Sequence, residues 1–410
     1  MNAGGRDTRL LGFAAIAAAS GCQLVGGIGD IALEPPGDAG DDGGPRAGAD
    51  ASDETGIDAA ADTAAGDASD APFACEAGTL CGASCADLTS DAKNCNRCGH
   101  DCQGGACTAG VCQPVTLAPA SYPGSIAVDA TSVYWTSSEN NGAVMKVPIG
   151  GGAATTVAAA QATPVGVAVD ATSVYWANEA SIGGGNGTVL KIPIGGGNVT
   201  TLASGQQSPT ALTIDKTNAY WTNQGTGAVG SGAVMKMAIG GGTPTTLASG
   251  QSAPVGIAVD ATTVCWVNLG DGSVAKVAIG GGSATTLATG QSQLWTVAAD
   301  GASVYWTQHV GGGPVVKMPI GGGSPTTLAS GQNTPFGVAV DAANVYWTNF
   351  GTAGNNFNDG TVMTVPLGGG TATTLASGQS TPLAVAVDAA TVYWLNESAG
   401  IGAVMKVAKP

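Results

Sequence analysis

Short apolar runs separated by Gly, Asn and Asp recur along residues 115–410. One complete unit has four such runs, at residues 164–170, 173–176, 189–194 and 200–203, and β-branched or aromatic side chains dominate them. None of the runs has apolar residues at the spacing of an amphipathic helix. The pattern therefore predicts four short antiparallel strands per unit, here labelled A, B, C and D.

The unit occurs seven times. In every copy an Asp that ends strand A precedes a Trp of strand B by six residues, and successive copies lie 40 to 47 residues apart. The pairs are Asp129/Trp135, Asp170/Trp176, Asp215/Trp221, Asp260/Trp266, Asp300/Trp306, Asp341/Trp347 and Asp388/Trp394. A four-stranded unit of this length is typical of a propeller blade, which buries its apolar faces against neighbouring blades.

The two ends of the repeat region complement each other. The seventh unit ends at Pro410 after strand C, and a strand of the D type, residues 115–118, precedes the first unit. Pairing these two strands closes a ring and removes an exposed sheet edge. We therefore expect an all-β fold over residues 114–410, a seven-bladed β-propeller of four-stranded antiparallel blades closed by the N-terminal strand in the last blade.

Within the unit, length varies in one place. The spacing from the Trp to the strand C Lys or Thr ranges from 10 to 17 residues, whereas the spacing from there to the next Asp is always 24. The B–C loops thus carry the variation, and in a propeller they open on the same face as the D–A turns. We predict that a ligand binds on this face. The candidate binding residues are Trp295, Phe336, Asn178, Asn223, Asn268, Asn349, Phe350, Phe357 and His309.

Two aromatic residues distinguish the start of strand A. This position holds Trp295 in blade five and Phe336 in blade six, whereas the other blades have Gly, Val, Thr or Leu there. Aromatic rings beside Asn-rich loops suit a sugar ring or a peptide. The alternative is that both rings simply fill the mouth of the channel, as core aromatics do.

The repeated Asp, Trp and Lys positions are expected to serve the scaffold. An Asp before a tight turn accepts hydrogen bonds from its own backbone, and a Trp at a fixed position in every unit fills the interface between blades. The lysines of strand C suggest either an anion site or, because their neighbours are apolar, buried stems with solvated heads. They are Lys146, Lys191, Lys236, Lys276, Lys317 and Lys406.

The repeat resembles the YWTD class of propeller repeats found in lipoprotein receptors, and more broadly NHL-like propellers. Gly-Ile-Ala-Val-Asp at 256–260 and Val-Tyr-Trp-Thr-Asn at 345–349 stand where the YWTD class has Gly-Leu-Ala-Val-Asp and Leu-Tyr-Trp-Thr-Asp. The resemblance covers residues 115–410 and implies a propeller. It departs in that the last motif residue is uncharged here and that the class usually has six blades, so the partners of that class are not carried over.

Residues 1–22 have the features of an export signal. Basic residues precede an apolar run at 10–19 that is too short for a transmembrane helix. Residues 19–22, Ala-Ser-Gly-Cys, resemble a bacterial lipobox, which implies that Cys22 is lipidated and anchors the mature chain in a lipid bilayer, with ordinary secretion as the alternative. Gln23 then implies delivery to the outer membrane, on its periplasmic or its outer side.

Residues 23–72 are mostly Ala, Gly and Asp. They hold 12 of the chain's 29 acidic side chains and a single basic one, Arg46. Such a segment buries too little apolar surface to fold, so we predict a disordered, self-repelling tether.

Residues 73–113 form a cysteine-rich segment. In an exported chain this density of cysteine predicts a small module with four disulfides and leaves the connectivity open, with zinc bound through Cys95 and Cys98 as the alternative. The eight cysteines are Cys75, Cys81, Cys85, Cys95, Cys98, Cys102, Cys107 and Cys112. Their spacing resembles the small module of plant stigma-specific proteins, which also precedes propellers in myxobacterial lipoproteins. The remaining Cys265 replaces a Tyr of blade four and is expected to be a buried thiol.

The charge of the propeller and its titratable residues limit the functions that we expect of it. The propeller has 12 acidic and eight basic side chains, which gives no electrostatic case for nucleic-acid binding. Its one His is His309, and its Glu residues are Glu139, Glu179 and Glu397, all in B–C loops. The inner strands carry small apolar residues, which offer no acid or base to the channel.

We therefore expect a non-enzymatic recognition or adhesion protein, monomeric and without a metal or cofactor, that binds a glycan or a protein on the loop face. One alternative is a lyase or hydrolase that uses His309 with the loop Glu residues, as virginiamycin B lyase and some other seven-bladed propellers use His and Glu near the channel. The other alternative is a structural spacer.

Overall fold

The computed structural model describes Cys75 and residues 78–82, 84–179, 184–398 and 400–410. The predicted signal segment, Cys22 and the acidic tether lie outside these residues. Within them, no helix is long and apolar enough to span a bilayer.

Seven four-stranded antiparallel sheets, one for each repeat, make up the larger part of the molecule. Strand A is Pro123–Val128, Pro164–Val169, Pro209–Ile214, Pro254–Val259, Leu294–Ala299, Pro335–Val340 and Pro382–Val387 in blades one to seven. Strand B is Ser132–Ser137, Ser173–Asn178, Asn218–Asn223, Thr263–Asn268, Ser303–Gln308, Asn344–Asn349 and Thr391–Ser398. Strand C is Asn140–Pro148, Gly187–Pro193, Gly232–Ala238, Ser273–Ala278, Gly311–Pro319, Gly360–Pro366 and Ile401–Ala408. Strand D of blades one to six is Thr155–Ala162, Thr200–Gln206, Thr245–Gln251, Thr285–Ala288, Thr326–Asn333 and Thr373–Gln379. The seven-bladed propeller predicted from the repeat is thus confirmed.

The ring closes as the chain ends predict. Strand D of blade seven is Val115–Ser121, and it pairs antiparallel with strand C of the same blade, Lys406 opposite Val115. Each strand A lies beside strands A of the two adjacent blades, and that of blade seven lies beside that of blade one. The first strand therefore leaves no gap in the ring, which removes the edge that blade seven would otherwise expose.

The repeated Trp residues are buried between the blades, as predicted. All seven indoles are at most 1% exposed. Each lies in strand B among Val, Ile and Ala side chains of its own and adjacent blades. Because aromatic side chains bury the largest apolar areas, these rings contribute strongly to holding neighbouring blades together.

The Asp that ends strand A organises the A–B turn in every blade. One carboxylate oxygen accepts the backbone N–H groups two and three residues on, at 2.6 to 2.9 Å. In six blades the other oxygen accepts the hydroxyl of the strand B Tyr, at 2.6 to 2.9 Å. The predicted structural role of this Asp is therefore observed.

The strand C lysines differ from the expected solvated heads. Each Nζ donates to the carbonyl of the residue that follows strand C in the next blade, at 2.5 to 3.3 Å. Blade six has Thr364 in this position. At the interface with blade seven, the cation is instead Lys409 of blade seven, whose Nζ lies 2.5 Å from Asp341 Oδ2 of blade six. A carbonyl left unpaired at an interface between blades would cost free energy. The lysine ammonium groups donate to these carbonyls and so link adjacent blades.

The cysteine-rich segment forms a compact module with four disulfides and very little regular structure. The bonds join Cys75 to Cys85, Cys81 to Cys98, Cys95 to Cys107, and Cys102 to Cys112. Its strands are Thr79–Cys81 paired with Ser84–Ala86, and Cys107–Thr108 paired with Val111–Cys112. Since the sulfurs of Cys95 and Cys98 are both in disulfides, the alternative of a zinc site through these two residues is contradicted. Cys265 is buried and takes no part in a disulfide, as expected.

Candidate functional site

Five of the predicted candidate residues form one contiguous cluster at the B–C and D–A end of blades five and six. The Trp295 and Phe336 rings stack with their centroids 6.0 Å apart. His309 meets the Phe336 ring edge-on at 5.1 Å and the Phe350 ring at 5.4 Å. Phe350 in turn contacts Phe357 at 5.3 Å. We call these five residues the aromatic cluster.

The repeat explains how the aromatic cluster is assembled. Trp295 and Phe336 occupy the second position of adjacent strands A. His309 and Phe350 are each the third residue after the repeated Trp of their blades, where strand B has just ended. Equivalent positions in neighbouring blades lie side by side, so aromatic residues at the same repeat position meet in space.

The cluster has a buried base and a partly exposed outer part. Trp295 is 7% exposed and Phe336 is 1% exposed, whereas Phe350, Phe357 and His309 are partly exposed. The two strand A rings are thus buried, as core aromatics are, while the loop rings reach the surface. Trp295 Nε1 is buried and has no acceptor among the described residues.

The loop that carries Phe357 is ordered by one carboxylate. Asp359 accepts from the backbone and hydroxyl of Thr352 at 2.7 Å and from Asn355 Nδ2 at 2.9 Å. These hydrogen bonds lower the pKa of Asp359 to about 2. The loop includes the 3-10 helix Ala353–Asn355, and Phe357 has a positive φ of 56°. Backbone in this region costs energy in a non-glycine residue, so the surrounding contacts hold the Phe357 ring in place.

The environment of His309 is apolar. Burial lowers its pKa, and the neighbouring backbone carbonyls of Pro335 and Thr334 oppose that shift. The Phe336 and Phe350 rings both pack against the imidazole in T-shaped contacts. Burial therefore disfavours the charged imidazolium, and the ring serves as a packing partner in the cluster.

The three loop glutamates lie in other blades than His309. Glu139 is exposed in blade one, Glu179 is buried in blade two, and Glu397 of blade seven accepts the Gly400 N–H at 3.0 Å. Among the residues that the structure describes, no hydrogen bond or ion pair joins His309 to any of them. The acid–base constellation that the lyase or hydrolase alternative needs is thus not assembled by these contacts.

The structure places the four candidate asparagines away from the loop surface. They are the last residues of their strands B, at most 8% exposed, and each Nδ2 donates to a Gln Oε1 of the preceding blade at 3.0 Å. They are Asn178, Asn223, Asn268 and Asn349. Their amides are used to join blades, which differs from the expectation that they face a ligand.

The Gln partners were missed from the sequence. In six interfaces the Gln Oε1 accepts the Trp Nε1–H of the next blade at 2.7 to 3.1 Å together with the amide two residues after that Trp. We call this arrangement the glutamine bridge. The Gln residues are Gln161, Gln206, Gln251, Gln291, Gln332 and Gln379. Each stands 15 residues before its Trp, a constant spacing that the sequence displays.

Comparisons with known proteins show fold alone. No family model matches the chain, and no curated protein matches it. A chain of a nidogen/laminin complex is 17% identical over 58% of this chain and 90% of that chain, with a TM-score of 0.45. The computationally designed Ika8 protein is 19% identical over 73% of this chain and 88% of its own, with a TM-score of 0.52. An oligogalacturonate lyase in complex with manganese is 10% identical over 68% and 86%, with a TM-score of 0.51.

Proposed function

We propose that this chain is a non-enzymatic recognition protein, and that its ligand binds to the aromatic cluster on the loop face of blades five and six. The observation that carries the proposal is the convergence of three partly exposed rings on two buried ones at a single edge of the channel mouth. Six other blade-to-blade junctions share the scaffold and lack this set of rings. In a rigid scaffold whose variable loops lie on one face, ligands commonly bind to those loops.

A saccharide is the ligand class that the residues favour. Phe350 and Phe357 offer partly exposed aromatic faces and edges, and the adjacent loop exposes the amides of Asn355, Asn356 and Asn358. A sugar ring has an apolar face that can pack on the aromatic rings and hydroxyls that can form hydrogen bonds with the amides. A protein ligand using the same surface is the second possibility, and it would rely on the rings as anchors.

The test is a glycan array probed with residues 73–410 of the chain and with two variants. Phe350→Ala removes the centre of the exposed part, and Leu269→Ala removes the partly buried side chain at the same repeat position in blade four. We expect Phe350→Ala to lose about fivefold to tenfold in affinity for any bound glycan, since an aromatic contact that ligand binding buries contributes about 1 to 1.4 kcal/mol. Equal binding by the parent and Phe350→Ala would rule out the cluster as the site.

We also propose that Cys22 carries a lipid that anchors the protein to the outer membrane, with residues 23–72 as a tether. The lipobox-like residues 19–22 and the composition of the tether support this. Metabolic labelling with a radioactive fatty acid tests it: the parent should be labelled and Cys22→Ser should not. An unlabelled parent chain would make the protein a secreted one.

A further inference from the structure

The interface between blades seven and one lacks the glutamine bridge. Strand D of blade seven reads Pro119-Ala120-Ser121 at the place where the other six blades carry the bridging Gln, and Ala120 pairs with Gly402 as Gln206 pairs with Gly187. On the opposite side, Ser137 stands where the other blades have Asn or Gln and donates to the Ser121 carbonyl at 2.8 Å. Trp135 is therefore the one repeat Trp for which no described residue accepts the Nε1–H.

The backbone explains why the bridge cannot form here. In the six other interfaces the residue before the Gln has a positive φ, such as 68° at Gly205, and this turns the Gln side chain back onto its own strand. In blade seven that place is taken by Pro119, whose ring fixes φ near −65°. The link from Ala118 to Pro123 is also one residue shorter than that from Ala376 to Pro382. The difference is thus built into the chain.

A groove of about 390 Å³ lies at this interface. Trp135 lines it, together with the polar side chains of Ser121, Ser137 and Glu139. Trp135 is only 1% exposed, and its ring forms part of the wall of this open groove. On the rim stands Ile401, which is 80% exposed and is one of the large apolar side chains that the structure leaves in solvent.

We propose that this groove is a binding site for the side-chain carboxamide of a glutamine in a peptide, and that the amide oxygen accepts the hydrogen bond of Trp135 Nε1. Six interfaces of the same molecule show that the surroundings of the repeat Trp fit a glutamine amide. At the seventh interface, the place of that side chain is open, and the Trp135 indole is the donor beside it. The exposed Ile401 provides apolar contact for the residues on either side of the bound glutamine.

The site is distinct from the aromatic cluster, which belongs to blades five and six. It does not depend on the function proposed there. The walls of the groove shield a hydrogen bond to Trp135 from bulk water, so an amide oxygen that reaches this indole gains more than it would on an open surface.

The test uses the chain's own bridge sequence as the probe. The blocked peptide Leu-Ala-Ser-Gly-Gln-Ser, identical to residues 247–252, is titrated into ¹⁵N-labelled protein while the indole N–H signals are followed. We expect the signal of Trp135, identified by its loss in Trp135→Phe, to shift in a saturable way. The peptide with Ala in place of Gln should bind roughly tenfold more weakly, as expected for the loss of one buried hydrogen bond. Free N-acetylglucosamine provides an amide oxygen from a different source and should leave the signal unmoved.

Two protein variants complete the test. In the first, Pro119–Tyr122 is replaced by a copy of Ser377–Thr381 and Ser137 by Asn, which restores the bridge and should abolish peptide binding. In the second, Trp135→Phe should weaken binding about tenfold, whereas the matched Trp176→Phe, at an interface where Gln161 already fills the place, should not. Trp135→Phe keeps the proposal testable if the first variant does not fold. A Trp135 signal that ignores the peptide, or that follows N-acetylglucosamine instead, would overturn it.

Discussion

At the scale of single residues, sevenfold repetition makes each exception informative. Six blades satisfy both oxygens of the turn Asp, the second through a Tyr hydroxyl. Blade four has Cys265 in the Tyr position, and Asp260 Oδ2 is buried there without a hydrogen-bond partner among the described residues. An unpaired buried oxygen costs about 1–3 kcal/mol, so blade four is locally less stable than its neighbours in this respect.

Glu179 makes stability depend on pH near neutrality. It is 3% exposed, and burial raises its pKa from 4.5 to about 7. A carboxyl whose pKa is raised by folding contributes its full stability below pH 4.5, and this contribution is lost as the pH rises through 7. We predict that Glu179→Gln raises the unfolding free energy at pH 8 by up to about 3 kcal/mol, and the melting temperature with it, and changes both little at pH 4.5. Thermal unfolding at both pH values measures this, with the exposed Glu139→Gln as a control that should show no such difference.

At the scale of elements, the strands could be predicted from the sequence, whereas the side-chain hydrogen bonds that join one blade to the next could not. Short runs of β-branched and aromatic residues bounded by Gly, Asn and Asp predicted strands A to D, because such residues favour strands and such boundaries favour turns. The asparagines at the ends of strands B looked like loop residues, since sequence alone does not show which side chain of the preceding blade comes to face them. The partner, a Gln 15 residues upstream of the Trp, becomes evident once the blades are known to be adjacent.

Removal of one glutamine bridge should destabilise the ring measurably. In Gln206→Ala, the buried donors Trp221 Nε1 and Asn223 Nδ2 both lose their acceptor. Each orphaned donor costs about 1–3 kcal/mol, so we expect a loss of several kcal/mol in unfolding free energy. Urea denaturation measures it. Ser121→Ala lies at the matching end of strand D in blade seven, where its backbone carbonyl makes the contact, and should cost far less.

At the scale of the whole molecule, the sequence predicted the ring, its closure and the adjacency of Trp295 and Phe336. Repetition explains this success, because equal positions in adjacent blades must lie side by side. Contacts outside the repeat could not be predicted. The cysteine-rich module packs into the same buried cluster as Tyr346, Val387 and Val407. Nothing in the periodic pattern encodes that docking, which depends on the path of a non-repetitive segment.

His100 is the polar link between the module and the propeller. Its Nδ1 lies 2.6 Å from the Cys95 carbonyl within the module, and its Nε2 lies 2.7 Å from the Lys409 carbonyl at the end of blade seven. Lys409 itself is fixed by its ion pair with Asp341 and by its contact with the Tyr346 ring. The imidazole thus holds the module against a point that is already rigid.

We predict that His100→Ala loosens this docking while leaving the propeller folded. Amides at residues 343–346 and 405–409, which lie at this contact, should exchange with deuterium several-fold faster, because the module then opens from the surface more often. Lys93→Ala is the matched control, since it breaks an exposed ion pair with Asp101 inside the same module and should leave those exchange rates unchanged. Equal exchange in His100→Ala and the parent would mean that the apolar contacts around Tyr346 hold the module without the imidazole.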